Sequence, residues 1–146
     1  MPGMDMFDEL AIATGMVLLT VVIHGVGLLV LVRLLKIEQR EEAAMDIGPF
    51  SGRALLYMLA LVLGLFVLHG IEIWAYGVLY LALGALPDLR VAVFFSTITY
   101  STIGYDDRGF AEAWQLVAAI EGINGVILLG WSTAFFVTIM TRLMRR

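Results

Sequence analysis

The residues best suited to chemistry in this chain sit in one short run, Thr102-Ile103-Gly104-Tyr105-Asp106-Asp107, which follows Phe94-Phe95-Ser96-Thr97-Ile98-Thr99-Tyr100-Ser101. A Thr-x-Gly-Tyr run between two apolar segments can turn successive backbone carbonyls, and the Thr hydroxyl, toward one axis. Four copies around that axis would stack rings of oxygen that replace the water shell of a dehydrated cation. Thr102, Ile103, Gly104 and Tyr105 are the candidate ion-binding residues, and glycine matters because aligned carbonyls need dihedrals that side chains resist. Asp106 and Asp107 would ring the mouth of such a pore with acid and concentrate cations there. The other reactive side chains are His24, His69, Glu72 and Glu121, each set in an apolar stretch. No nucleophile lies beside a base, and there is no cofactor motif or phosphate loop. Neither enzymatic chemistry nor a resident cofactor is therefore expected.

The elements that position these residues follow from composition. The chain has 146 residues, of which 61% are hydrophobic and 15% charged, and such a surface is hidden more easily in lipid than in a soluble core. Cysteine is absent, so disulfides and thiolate metal sites are excluded. The net charge of −4 gives no support for nucleic-acid binding. A bilayer core takes about 20 apolar residues, and three stretches qualify: Leu10–Val32, Ala54–Leu86 and Ala113–Leu143. The first is too long, and its start (Asp5, Asp8, Glu9) too acidic, for a cleaved leader. The second exceeds one span and should tilt or project. No stretch is left for a soluble domain. A fourth apolar stretch, Val91–Ser101, is too short to cross and reads as re-entrant.

Basic residues orient the spans. Arg33, Lys36, Arg40 and Arg53 lie between the first and second, and Arg142, Arg145 and Arg146 follow the third. The positive-inside rule puts both groups in the cytoplasm, so the N-terminus and the Thr102–Asp107 loop face outward in the cell membrane. Trp74, Tyr76, Tyr80 and Trp114 fall near the outer boundary, as an aromatic belt would. Leu34–Asp46 reads as a charged helical extension of the first span, and Gly48-Pro49-Phe50-Ser51-Gly52 as a turn. Pro87 suits a first helical turn and Asp88 a helix start. A helix over residues 88–100 would measure roughly 18 Å, with its negative C-terminus in the membrane. The backbone returning through Thr102 must be buried in protein or line a polar cavity, which one copy cannot supply. The chain therefore implies an oligomer.

This order of span, pore helix, filter and span resembles the two-transmembrane pore-loop potassium channel family, from Ala54 to Arg146. In the last span Gly125, Gly130, Thr133 and Ala134 match the family pattern, as does Trp114, seven residues past Asp107. Gly-Trp-Ser-Thr-Ala is also similar to a group of short bacterial channel proteins. The resemblance implies an all-α membrane protein: three transmembrane helices, a re-entrant pore helix and a selectivity filter in a homotetramer that conducts K+ passively. It divides the chain into an additional helix (1–35), a cytoplasmic connector (36–53) and a pore domain (54–146). It implies Gly125 as gating hinge, with Gly122 as the alternative. Close packing by small residues is the competing reading of these glycines. With Gly125 so placed, Val126, Leu129, Thr133 and Val137 share the face toward the axis, and Asn124 turns away from it to pack or hydrogen-bond.

Asp106 departs from the family, which has a left-handed glycine at that position. Aspartate tolerates that conformation at a cost of order 1 kcal/mol, and the four preceding carbonyls remain. Three functions stay open: a potassium channel, a nonselective monovalent cation channel, and a non-conducting channel-like subunit. His69 and Glu72, at i and i+3, share a helix face and lie with Glu121 near filter depth. Two readings apply: a metal site, which has only one imidazole, or a hydrogen-bonded brace behind the filter, which is favoured. His24 is assigned only a polar contact.

Overall fold

The computed structural model describes residues 6–43, 52–104 and 109–144. Its helices are α1 (Met6–Ala43), α2 (Gly52–Ala82), α3 (Leu89–Tyr100) and α4 (Gln115–Met144), the last preceded by a 3-10 turn at Glu112–Trp114. Among the described residues there is no strand, and three helices are long and apolar enough to cross a membrane. The protein is an all-α membrane protein.

α2 is shorter than its apolar run. It stops at Ala82, where Gly84 takes a left-handed φ of +65°. Ala85 N–H then reaches back to Tyr80 O (2.9 Å) and Gly84 N–H to Leu81 O (3.1 Å), a Schellman closure. Ala85 and Leu86 turn inward and are buried. Pro87 lies before α3 rather than in its first turn. Asp88 is the N-cap, its Oδ1 accepting from Val91 N–H at 2.9 Å.

α1 packs along both α2 and α4, and α3 is held between α2 and α4. At the end of the bundle where α1 begins, Phe95 of α3 stacks on Phe110 with centroids 4.5 Å apart, and Tyr80 meets both rings edge-on. At the other end Leu28, Leu61, Leu65 and Leu68 form an aliphatic cluster. On each long helix the buried polar residues fall between these two cores: Thr20 and His24, Glu72, and Glu121, Asn124 and Ser132.

The aromatic belt is not what the sequence suggests. Tyr76, Tyr80 and Trp114 are buried within the bundle, and of the four only Trp74, 55% exposed, is free to meet lipid. Tyr80 donates its hydroxyl to the buried Glu121 and Tyr76 accepts from Asn124, so neither ring is free to mark a headgroup boundary.

Candidate pore loop and its polar support

The end of α3 sets the geometry of the loop. Ser101 N–H bonds to Thr97 O (3.1 Å), Thr102 N–H to Thr99 O (3.1 Å) and Ile103 N–H to Ile98 O (3.0 Å). This repeats the closure that ends α2, but the left-handed position is held by Thr102 (φ 60°) instead of glycine. Left-handed backbone is strained for a β-branched residue, at a cost of about 1–3 kcal/mol. Gly104 N–H also reaches Ile98 O, at 3.3 Å.

Two expectations change here. The amides of Thr102, Ile103 and Gly104 all find acceptors in their own chain, so the need for a second copy does not rest on them. The carbonyls of Thr97, Ile98 and Thr99 accept from Ser101, from Ile103 and Gly104, and from Thr102 respectively, so the end of α3 is not bare. Among the described residues, no hydrogen bond reaches the carbonyls of residues 102–104. Ile103 is 77% exposed, and a groove of about 550 Å³ opens beside the loop, lined by Ile98, Thr99, Thr102 and Gly104 against Ala118 and Gly122 of α4. Thr99 Oγ1 is buried and has no partner among the described residues. Tyr105, Asp106 and Asp107 lie outside the described residues.

Behind the loop stands a hydrogen-bonded cluster drawn from all four helices. Glu72 is fully buried and its Oε2 accepts from the hydroxyl of Tyr100, the last residue of α3. His24 Nδ1 lies 2.9 Å from Oε1, and His69 Nδ1 lies 3.2 Å from Oε2 and 3.0 Å from the Tyr100 hydroxyl. The far nitrogens of both rings meet one side chain, Ser132 Oγ, at 2.9 Å from His69 Nε2 and 3.3 Å from His24 Nε2. A second carboxylate, Glu121, is buried with both oxygens taken: Ser96 of α3 and Tyr80 of α2 donate to it. Asn124 donates to Thr20 Oγ1 (2.8 Å) and faces Tyr76, which ties α4 to α1 and α2. A buried carboxylate without donors would cost several kcal/mol, and these two have four or more between them.

A family model described as Ion channel matches residues 56–142, more than half of the chain. The chain belongs to the two-transmembrane pore-loop ion channel family. Neither a curated protein nor a solved structure matches it.

The matched stretch runs from α2 through α3 to α4 and leaves all of α1 outside, yet α1 gives this channel His24 and Thr20. Sequence reasoning gave His24 no role. Its one available signal was that a histidine in an otherwise apolar span must find a partner, and both partners lie far along the chain, at Glu72 and Ser132. Gly125 packs closely: a Cβ there would meet Tyr100 O at 2.2 Å, whereas one on Gly122 would come no nearer than 3.7 Å to Thr99 O. Gly77 gives a looser close approach between α2 and α3, where a Cβ would meet Val93 Cγ2 at 2.8 Å and its backbone Cα at 3.1 Å. Val126, Thr133 and Val137 are exposed on α4 and Leu129 is half-buried, so the described residues leave most of that face uncovered. Thr133 Oγ1 bonds to Leu129 O at 2.9 Å, along its own helix.

Proposed function

We propose that this member of the ion channel family is a passive potassium channel, a homotetramer whose filter is built from the carbonyls of Thr102, Ile103, Gly104 and Tyr105. The observation that carries the reading is that Thr102, Ile103 and Gly104 follow the C-terminus of the capped helix α3 with their amides turned into it. Amides bonded on one side leave the carbonyls of the same backbone for an ion on the other. The exposed Ile103, the groove against α4 and the buried, unpartnered hydroxyl of Thr99 support a neighbouring copy on that side. Val126, Leu129, Thr133 and Val137 would line the cavity beneath the filter. Its largely apolar wall would pass ions when wide and dewet when narrow. Glu72, His69 and Glu121 would act as filter support through Tyr100 and Ser96. The basic segments would face the cytoplasm, with the N-terminus and the acidic mouth outside.

Reversal potentials of the purified oligomer in planar bilayers, with K+ on one side and Na+ on the other, test this. A clear preference for K+ is expected, unchanged or sharper in Asp106→Gly. Asp106 favours one rival reading, a nonselective pore: equal permeability in the native channel, converted to K+ selectivity by Asp106→Gly, would establish it. Assembled tetramers that pass no current would make the protein a non-conducting subunit.

A further inference from the structure

We propose that His24, His69 and Glu72 form a binding site for a divalent transition-metal ion of the zinc class, with Ser132 orienting both imidazoles. The three side chains come from two helices, and one donor atom from each lies within 4.8 Å of the others. The site joins residues that a reading of α2 alone cannot: His69 and Glu72 lack a second imidazole there, and α1 supplies it.

The hydrogen bonds show why the cluster suits a metal. With Glu72 as a carboxylate, Tyr100 donates to it and both imidazoles turn Nδ1 toward it. If both imidazoles are neutral, each then presents an Nε2 lone pair to the same hydroxyl, Ser132 Oγ. A hydroxyl has one hydrogen, so one buried acceptor goes short. An ion placed between the two Nδ1 atoms and Glu72 removes that mismatch. Each ring moves its proton to Nε2, and Ser132 Oγ accepts from both through its two lone pairs. A metal-bound histidine characteristically donates its other ring N–H to such a partner, which fixes the tautomer and the ring plane. The Tyr100 hydroxyl, 3.0 Å from His69 Nδ1, is the nearest candidate for a fourth donor.

Two nitrogens and carboxylate oxygen suit zinc-class ions more than magnesium or calcium. Tetrahedral bonds of about 2.0–2.2 Å set donors roughly 3.4 Å apart, so with all donors within 4.8 Å the widest pair need close by no more than roughly 1.4 Å, within reach of side-chain rotation. The residual positive charge would lie at the C-terminal, negative end of α3. His69, 14% exposed, is the side from which an ion would enter.

The chain offers an unusually clean test, because it holds two histidines and no cysteine. Any site with two imidazoles from one chain must be this one. Tag-free, chelator-treated channel in detergent is titrated with Co2+ and, separately, Cu2+. The expected result is one ion per chain, the intense visible bands of four-coordinate Co2+, and spin-echo modulation from remote imidazole nitrogens on Cu2+. Affinity should fall at least tenfold in assembled His69→Gln, and about 10–100-fold in Ser132→Ala, which keeps every ligand. Weak six-coordinate Co2+ bands without imidazole modulation would instead mark an all-oxygen site such as the acidic mouth and overturn the proposal. So would unchanged affinity in His69→Gln, or no stoichiometric uptake by assembled native protein. The native spectra decide the matter even where a variant fails to assemble.

Discussion

Replacing Gly125 by alanine separates a packing role from a hinge role. The added Cβ would lie 2.2 Å from Tyr100 O, 2.9 Å from Tyr100 C and 3.0 Å from its Cα, so every obstacle is backbone. Ordinary contact begins near 3.4 Å, and the two helices must part by roughly 1.2 Å at the point where α3 ends. Overpacking of this kind costs about 1–3 kcal/mol, and unyielding backbone puts it at the upper end. Alanine returns about 1 kcal/mol of helix propensity. The net loss is about 2 kcal/mol, a factor of up to about 30 in the folded ratio. Gly122→Ala is the control, since its Cβ meets Thr99 O at an ordinary 3.7 Å. It should be neutral or stabilising by up to about 1 kcal/mol. Titration of both variants with denaturing detergent, followed by tryptophan fluorescence, measures the difference. Native stability in Gly125→Ala, combined with altered open probability, would refute the packing argument and leave the hinge. Equal losses in the two variants would refute the assignment of the clash to Tyr100.

Tyr100→Phe removes a donor from Glu72 and should cost about 1–3 kcal/mol in the same titration, with unstable filter openings in single-channel records. Glu121→Gln puts an amide where two hydroxyls donate, so one of them loses its acceptor or must turn. Reduced tetramer yield on size exclusion or reduced current is expected, and native values for both would discount the brace. Thr102→Gly relieves a left-handed β-branched residue and should raise stability by about 1 kcal/mol while removing a hydroxyl from the proposed ion path. A stability loss there would show that Thr102 is not strained.

The long elements were legible because their signal is length and apolarity. The three spans and the capped helix Leu89–Tyr100 appear close to where the sequence puts them. Partners for Glu72 and Glu121 could be expected on cost alone, since neither carboxylate could be left bare. What could not be read was which partners: Tyr100 and Ser96 lie 28 and 25 residues from their carboxylates, and helical spacing says nothing across such gaps. Tyr76, Tyr80 and Trp114 were misread because an amphipathic ring suits a headgroup and a buried acceptor equally well. The strain at Thr102 was invisible because a Schellman closure normally announces itself with glycine, as Gly84 does at the end of α2.

The contacts between α1 and α4 join residues more than a hundred positions apart: Thr20 with Asn124, and His24 with Ser132. During synthesis the chain emerges in order, so α1 enters the bilayer well before α4 exists. Until α4 is threaded, His24 and Glu72 have each other but not Ser132, and Thr20 waits without the amide that will bond it. α4 therefore acts as a latch, and a nascent chain cut short before it would expose polar groups to lipid that the folded one conceals. Arrival of α4 and closure of the polar middle are one event, which gives the membrane a physical means of telling closed copies from open ones before any two of them meet.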